Sequence, residues 1–400
     1  MKTYSLFCIP ALALLLGACG SKQPASELTF DNLPIVAPLE AVGPDSVRIL
    51  HLDKLSKDTL SIPLSQYLED FHLIRLDNRD EALTAGGTTF FGNYLITGGN
   101  SREGCRLFDK EGRFLCKVGN KGQGPGEYWA VYDKQIDETN RRIYLMPWNA
   151  QSLLVYNLDD GSYLSSIPLP TLVPKGVFSV DAEQQVVTVG MLAFNSIEDA
   201  SVVWQQDFEG NVLRKIDAAP YSVVPDFNNE VQHNGNVADT FDFFLFHWAP
   251  EKDSLYHYLP DENRLQPVFA LDMPGEPFQH GYYELADCFL ADVTLETAQN
   301  QYGTYISKRA TILVDKQTGK GAFVEFVNDL AGNMPLPYAC FLFNKGYFVH
   351  SIEPGELALH LENVLSQPEE WTDAQIDEWT KLKDSIVEND NAYLFVGKLK

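Results

Sequence analysis

The sequence predicts an all-β fold, namely a six-bladed β-propeller of four-stranded antiparallel blades with a short C-terminal helical insertion. The first observation is a repeated hairpin in which two strand-like segments flank an Asp/Asn-Gly turn, as in CRLFDKEGRFLCKV at 105–118. The second is its spacing, because the turn glycines Gly112, Gly161 and Gly210 lie 49 residues apart. A period of roughly 50 residues with several strands per unit is typical of a propeller blade.

Two further hairpins extend the pattern toward the C-terminus. Asn263 replaces the glycine in the fourth copy, and Gly319 stands in the fifth. Shorter segments between the hairpins predict the inner strands of their blades, at 94–97, 142–145 and 185–189. Five hairpins leave one blade incomplete. We expect strands from both ends of the chain to complete it, because a closed ring leaves no exposed sheet edge, and the candidates are 58–62, 71–76 and 392–396.

One segment near the C-terminus departs from the β pattern. Residues 371–387 place apolar side chains at positions 376, 379, 382 and 386, which is helical spacing. Thr372 and Gln375 have the spacing of a capping box, in which each side chain binds the backbone amide of the other residue. We expect a surface helix packed on the last blade.

The N-terminus has the features of a lipoprotein signal peptide. Lys2 precedes an apolar segment at 6–16, which ends in Leu-Gly-Ala-Cys at 16–19. We expect residues 1–18 to be removed and Cys19 to be acylated, so that lipid chains hold the protein on a bilayer. Residues 19–45 are rich in Pro, Ser and small residues and predict a flexible tether. The propeller domain then spans residues 46–400.

The charge and the cysteines restrict the partners and the chemistry. With 30 basic and 55 acidic residues the net charge is −25, which excludes nucleic acid as a partner. Four cysteines remain besides Cys8 and Cys19, namely Cys105, Cys116, Cys288 and Cys340. Cys105 and Cys116 flank one hairpin, so a disulfide between them and buried free thiols both remain open.

The candidate ligand contacts are aromatic residues beside a glycine-rich segment. The segment comprises Lys121, Gly122, Gly124, Pro125 and Gly126, and it lacks the GK[ST] ending of a phosphate loop, so it predicts a structural turn between blades. Tyr128, Trp129 and Trp148 lie in or near loop-like sequence and could stack on a ligand, although aromatic side chains in β proteins mostly pack between sheets. No catalytic residue is predicted, because the sequence has no G-x-S-x-G motif and no nucleophile with an evident base. No metal ligand is predicted, because the histidines form no pair with metal-ligand spacing. The sequence leaves the question of a cofactor open.

The stretch GNKGQGPGEYWAVYDKQIDETNRRIYLMPWNAQSLLVYNLDDGSYLSSI at 119–167 resembles an NHL-type propeller repeat. Together with residues 61–77, 107–128 and 390–400, it makes the chain similar to the six-bladed propeller lipoproteins of Bacteroidota. The resemblance implies an exported lipoprotein and supplies no catalytic residues. The residues after Cys19 lack an acidic run like that of surface-export signals, so we expect the periplasmic face of the outer membrane, with the cell surface as the alternative. The predicted function is binding or scaffolding of a peptide, protein or glycan, and the alternative is a lyase or hydrolase with a metal in the central channel.

Overall fold

The computed structural model describes residues 32–226, 228–246, 253–272, 279–301, 303–336 and 338–400, and these residues form a six-bladed β-propeller of small antiparallel sheets. Before the ring begins, the chain contributes four strands to sheets that are formed later in the sequence. These strands are β1 (Leu39–Val42), β2 (Asp45–Leu50), β3 (Thr59–Pro63) and β4 (His72–Arg75). The predicted fold class is confirmed.

Blades 1, 2 and 3 are four-stranded meanders. Blade 1 consists of β5 (Thr88–Phe90), β6 (Tyr94–Thr97), β7 (Cys105–Asp109) and β8 (Phe114–Val118). A short parallel pair follows, β9 (Asn120–Lys121) and β10 (Glu127–Tyr128). Blade 2 consists of β11 (Val131–Asp137), β12 (Arg142–Pro147), β13 (Ala150–Asn157) and β14 (Tyr163–Val173). Blade 3 consists of β15 (Gly176–Asp181), β16 (Val186–Met191), β17 (Ser201–Asp207) and β18 (Val212–Asp217).

Blades 4 and 5 are larger because N-terminal strands are added to their outer edges. Blade 4 consists of β19 (Glu230–Gln232), β20 (Asp242–Phe246), β21 (Leu255–Leu259) and β22 (Arg264–Leu271), with β2 parallel to β22 and β1 beyond it. Blade 5 consists of β23 (His280–Glu284), β24 (Cys288–Asn300), β25 (Gly303–Asp315), β26 (Gly321–Asn328) and β27 (Met334–Leu336), with β3 parallel to β26.

Blade 6 closes the ring with strands from both ends of the chain. It consists of β28 (Phe343–Asn344), β29 (Tyr347–Ile352), the C-terminal β30 (Tyr393–Lys398) and the N-terminal β4. Closure by segments 71–76 and 392–396 is therefore as predicted. The assignment of residues 58–62 to this blade is wrong, because β3 instead covers the outer edge of β26 in blade 5, where Ile62 is buried near Phe326.

Two helices lie between β29 and β30, α1 (Pro354–Leu365) and α2 (Asp373–Ser385). The predicted helix corresponds to α2, and its capping box is present, since the Thr372 hydroxyl accepts a hydrogen bond from the Gln375 amide. Trp379 is buried against the blade 5 and 6 core. Helix α1 was not predicted.

The turn residues of the repeated hairpins explain how the blades fit together. Gly112, Gly161, Gly210 and Gly319 all have positive φ, and Asn263 has φ 47°. A Cβ atom on Gly161 would lie 2.1 Å from the carbonyl oxygen of Lys117 in the outer strand of blade 1. The Asn263 side chain meets the preceding blade as well, since its amide donates a hydrogen bond to the Lys215 carbonyl at 3.0 Å. The repeated turn therefore sets both the hairpin and the contact between blades.

The hydrophobic core is divided among the interfaces between adjacent blades. Middle strands such as β16 are buried on both faces, whereas most of β18, an outer strand, is exposed. Cys105 pairs with Val118 and Cys116 pairs with Leu107 on adjacent strands, but the two thiols are not opposite each other. Cys105, Cys116, Cys288 and Cys340 are free thiols in the structure.

The described part of the predicted tether is folded. Within residues 32–45, Val36 and Ala37 are fully buried and β1 pairs with β2. These residues pack because they cover apolar surface on blades 4 and 5, so a free tether does not extend to residue 45. The signal peptide, Cys19 and the start of the tether lie outside the described residues.

Candidate functional site

Strand direction separates the connections of the ring into two faces. One face carries the connections between blades and the connections between the second and third strands of each blade. We call it the loop face. In the described part of the chain, its long segments include 77–87, 119–130, 218–226, 329–336 and 353–392. The opposite face, which we call the turn face, carries the tight hairpin turns of the repeats. Binding residues in rigid scaffolds are concentrated on loops, so the loop face is the first place to search.

The glycine-rich segment forms a turn whose polar groups make hydrogen bonds within the protein. It connects β9 with β10, and Pro125 and Gly126 stand at its end. The Glu127 carboxylate accepts a hydrogen bond from the Gly124 amide at 2.9 Å, and the Tyr156 hydroxyl donates one to the Gly126 carbonyl at 3.0 Å. Lys121 donates to the carbonyl oxygens of Asn100 and Ser101. These contacts fix the turn between blades 1 and 2.

Tyr128 is buried beneath this turn and is held by hydrogen bonds to the backbone of blade 1. Its hydroxyl donates a hydrogen bond to the Val118 carbonyl at 2.6 Å and accepts one from the Cys105 amide at 2.8 Å. Burial raises the pKa of Tyr128, and only 2% of the residue is exposed. A ligand could therefore reach Tyr128 only if the turn opened.

Trp129 and Trp148 lie together on the loop face of blade 2. Trp129 is 57% exposed and Trp148 is 39% exposed. The backbone segments that carry the two tryptophans are adjacent, since the Trp148 amide donates a hydrogen bond to the Ala130 carbonyl at 2.9 Å. The Lys121 ammonium group lies 4.7 Å from the centre of the Trp129 ring. These two tryptophans are accessible to a ligand, and their role as ligand contacts stays a prediction.

A cleft that the sequence did not predict opens on the loop face of blade 5. Its volume is about 780 Å³. One wall is formed by residues 308–311 of β25, the floor by residues 323–327 of β26, and the other wall by Pro335, Leu336 and Tyr338. Lys57 and Thr59 lie at its outer end, and Leu295 stands at the rim. A preformed concave site of this size is typical of ligand binding.

The rim of the cleft exposes large apolar side chains. Tyr338 is 52% exposed and Leu295 is 39% exposed, and Phe341, whose ring lies beside Arg309 of the β25 wall, is 50% exposed. Isolated exposed apolar residues are ordinary, but a group of them around a cavity marks an interaction surface.

A buried ion pair stiffens the β25 wall of the cleft. Asp292 is fully buried and pairs with the Arg309 guanidinium, which also donates a hydrogen bond to Gln279 at 3.3 Å. Burial raises the pKa of Asp292, and Arg309 opposes that rise. The Phe341 ring lies 5.8 Å from the Arg309 guanidinium and 5.4 Å from the Tyr283 ring. The guanidinium is therefore held on several sides.

The turn face of the ring is crossed by the connection between β19 and β20, residues 233–241. Asn234 accepts a hydrogen bond from the Lys345 amide of blade 6 at 2.7 Å and donates one to Tyr282 of blade 5. Lys345 also reaches Asp133 in β11 of blade 2, with 3.3 Å between the ammonium and carboxylate groups. The Asp133 carboxylate in turn accepts a hydrogen bond from the Phe178 amide of blade 3 at 3.0 Å. Polar contacts thus link five blades near the centre.

Several histidines are paired with carboxylates at separate places in the ring. His233 lies 2.9 Å from Asp242, and His257 lies 2.6 Å from Glu284. Among the residues that the structure describes, no three His, Cys, Asp or Glu side chains come together as metal ligands would. Also within the described residues, no helix is long and apolar enough to cross a membrane.

Comparison with known proteins places this fold in a family. No curated protein matches the sequence. A protein from Bacteroides fragilis that is proposed to be exported has a similar structure, with 14% identity and a TM-score of 0.52 over 86% of this chain and 98% of that chain. A DUF4221 family member from Bacteroides vulgatus gives 11% identity and a TM-score of 0.44 over 83% and 97% of the two chains. Residues 47–398 match the family model described as a domain of unknown function, DUF4934, and the chain therefore belongs to the DUF4934 family.

Proposed function

We propose that this protein is an exported lipoprotein whose propeller binds a partner protein, peptide or glycan through the blade 5 cleft on its loop face. The observation that carries the proposal is the cleft itself, a preformed cavity with exposed apolar side chains at its rim. A rigid closed ring can present such a site with little ordering on binding, and this favours affinity.

The membrane anchor belongs to the same proposal. The Leu-Gly-Ala-Cys sequence at 16–19 supports acylation of Cys19, and the absence of an acidic run after it supports the periplasmic face of the outer membrane. The similar protein from B. fragilis is itself proposed to be exported. Labelling cells with an alkyne-tagged palmitate should mark the wild-type protein and leave Cys19→Ser unmarked. Equal labelling of both proteins would contradict the anchor.

Binding at the cleft is testable by site-specific photo-crosslinking in cells. A photoreactive phenylalanine analogue placed at Tyr338 samples the rim of the cleft, and the same analogue at Leu213 samples the outer strand of blade 3. The two positions are matched in exposure, at 52% and 54%. We expect a discrete adduct from position 338 that is absent from position 213. Identical adduct patterns at the two positions, or none at either, would contradict a binding role for the cleft.

A further inference from the structure

We infer that the blade 5 cleft takes an extended acidic segment of a partner protein, which adds as a new strand to the edge of β25. The inference rests on the proposed function and names the chemistry of the partner.

The cleft exists because two paired strands separate. The ladder between β25 and β26 runs from Val314–Gly321 to Thr311–Val324 and ends there. The residues that would continue it are Lys308 to Ala310 on β25 and Glu325 to Val327 on β26, and they line the cleft instead. The cavity therefore includes the gap left by the interrupted ladder, and it continues across β26 to Lys57 and Thr59 on the β3 side.

The separation leaves one edge of β25 open. Strand β27 pairs with Phe326–Asn328 of β26 and so occupies the side that β25 has left. In the part of the chain that the structure describes, β25 before residue 311 pairs only with β24. An open edge presents unpaired amide and carbonyl groups that can bind another strand. Strand addition to such an edge is an established mode of peptide recognition.

The charge of the cleft differs from that of the whole protein. The chain has 55 acidic and 30 basic residues, yet the cleft is lined by Lys57, Lys308 and Arg309 against a single carboxylate, Glu325. Arg309 is engaged with Asp292, which leaves the two lysines for a ligand. Lys308 lies 3.8 Å from Glu296, but both side chains are more than half exposed and such a pair is weak. The cleft therefore favours an acidic partner.

The apolar side chains that line the cleft also favour a partner segment that contains apolar residues. Leu336 and Phe326 are buried beside the cleft, while Tyr338 and Leu295 expose apolar surface at its rim. Side chains of an added strand point alternately to opposite faces, so a segment that alternates acidic and apolar residues can satisfy both requirements. The open part of β25, residues 304–310, spans roughly 20 Å at ~3.4 Å per residue, which accommodates about six residues of the partner.

The first test uses peptides of defined pattern and the whole mature protein. An array of octapeptides that alternate apolar residues with Asp or Glu is compared with matched arrays that carry Lys or Arg, or Ser or Asn. We expect the acidic array to yield binders whose affinity, measured by fluorescence anisotropy, is at least tenfold higher than that of their neutral or basic counterparts. No acidic preference would overturn the inference.

The second test separates strand addition from simple charge attraction. In the tightest acidic peptide, alternate backbone amides are methylated, as two complementary sets. Pairing with the β25 edge requires at least one set to weaken binding tenfold or more, since methylation removes the hydrogen-bond donors that face the edge. If neither set weakens binding, the peptide does not add as a strand and the inference fails.

Charge-reversed variants test whether the acidic peptide binds at the blade 5 cleft. The double variant Lys57→Glu and Lys308→Glu should weaken the acidic peptide at least tenfold and improve its basic counterpart. The double variant Lys117→Glu and Lys215→Glu, at exposed positions on the outer strands β8 and β18, carries the same charge change as a matched control and should leave the affinity unchanged. Circular dichroism checks that each variant is folded. An equal effect of the control would show that overall charge, not the cleft, governs binding.

The outcomes distinguish the inference from the function on which it rests. An adduct at position 338 together with no preference for acidic peptides would retain the binding function and overturn the acidic strand. Binding of an oligosaccharide that competes at the cleft would overturn it in the same way.

Discussion

Replacing Gly161 by alanine should destabilise the ring by more than the backbone strain alone. Gly161 has φ 68°, and a residue with a Cβ pays about 1–2 kcal/mol to adopt this left-handed conformation. The new Cβ would also lie 2.1 Å from the Lys117 carbonyl oxygen, so blades 1 and 2 must move apart. Overpacking of this kind costs about 1–3 kcal/mol. The expected loss in the free energy of unfolding is therefore about 2–5 kcal/mol.

Gly43→Ala is the matched control for this change. Gly43 has φ 60°, and a Cβ at this position would meet no atom within 4 Å. Only the conformational cost of about 1–2 kcal/mol should therefore appear. Urea unfolding followed by tryptophan fluorescence gives both values, and their difference measures the contact between the blades.

The result that refutes this reasoning is equality of the two variants. If Gly161→Ala and Gly43→Ala lowered the free energy of unfolding by the same amount, the contact of the turn with the preceding blade would contribute nothing. The glycine at the repeated turn would then be required for the hairpin alone.

Three other predictions concern single groups. Burial alone would raise the pKa of Asp242, but His233 and two backbone amides lower it to about 2, so this carboxylate should lose about 2.5 kcal/mol of stabilisation as the pH falls from about 5 to about 1. Acid unfolding of wild type against Asp242→Asn measures this, and equal pH dependence would contradict it. Thr372→Ala should cost about 1 kcal/mol and speed amide hydrogen exchange in α2; unchanged exchange would argue against the capping box. Burial raises the pKa of Cys288 to about 12 and also that of Cys340, so iodoacetamide at pH 8 should leave both unmodified until the protein unfolds, as mass spectrometry can show.

The fold was predictable because each repeat has a recognisable local sequence pattern. Each third and fourth strand is joined by a turn that needs a residue tolerant of positive φ, and the spacing of Gly112, Gly161 and Gly210 counts the blades. The position of β3 was not predictable in the same way. A five-residue strand carries an alternating pattern but no information about its partner, so residues 58–62 fitted the sixth blade equally well.

The sequence of helix α1 also contains a helical pattern of apolar residues. Leu357, Leu361 and Val364 are buried at spacings of four and three residues, and Pro354 begins the helix, where a missing amide donor does no harm. The pattern is as regular as that of α2. What α2 has in addition is the capping box, a start signal that can be recognised without knowing the packing.

The candidate site was only partly accessible to sequence reasoning. Trp129 and Trp148 are exposed, whereas Tyr128 is buried. No sequence feature separates these cases, because all three aromatic residues lie in or near loop-like sequence. The cleft has no local motif at all. It combines residues 308–311 and 323–327 with Pro335, Leu336, Tyr338 and Lys57, and their proximity follows from long-range strand pairing, namely where one ladder stops and where β3 pairs.

The closed ring explains how blade 5 can remain open at one edge. The ring is held by the pairing of β4 with β30 in blade 6 and by contacts near its centre, such as that of Lys345 with Asp133. None of these contacts involves β27 or the part of β25 before residue 311. The outer edge of β26, which would otherwise be exposed, is covered by β3. Closure of the ring and protection of the β26 edge are therefore provided without the missing part of the ladder between β25 and β26. This arrangement leaves the edge of β25 available for the partner that we propose.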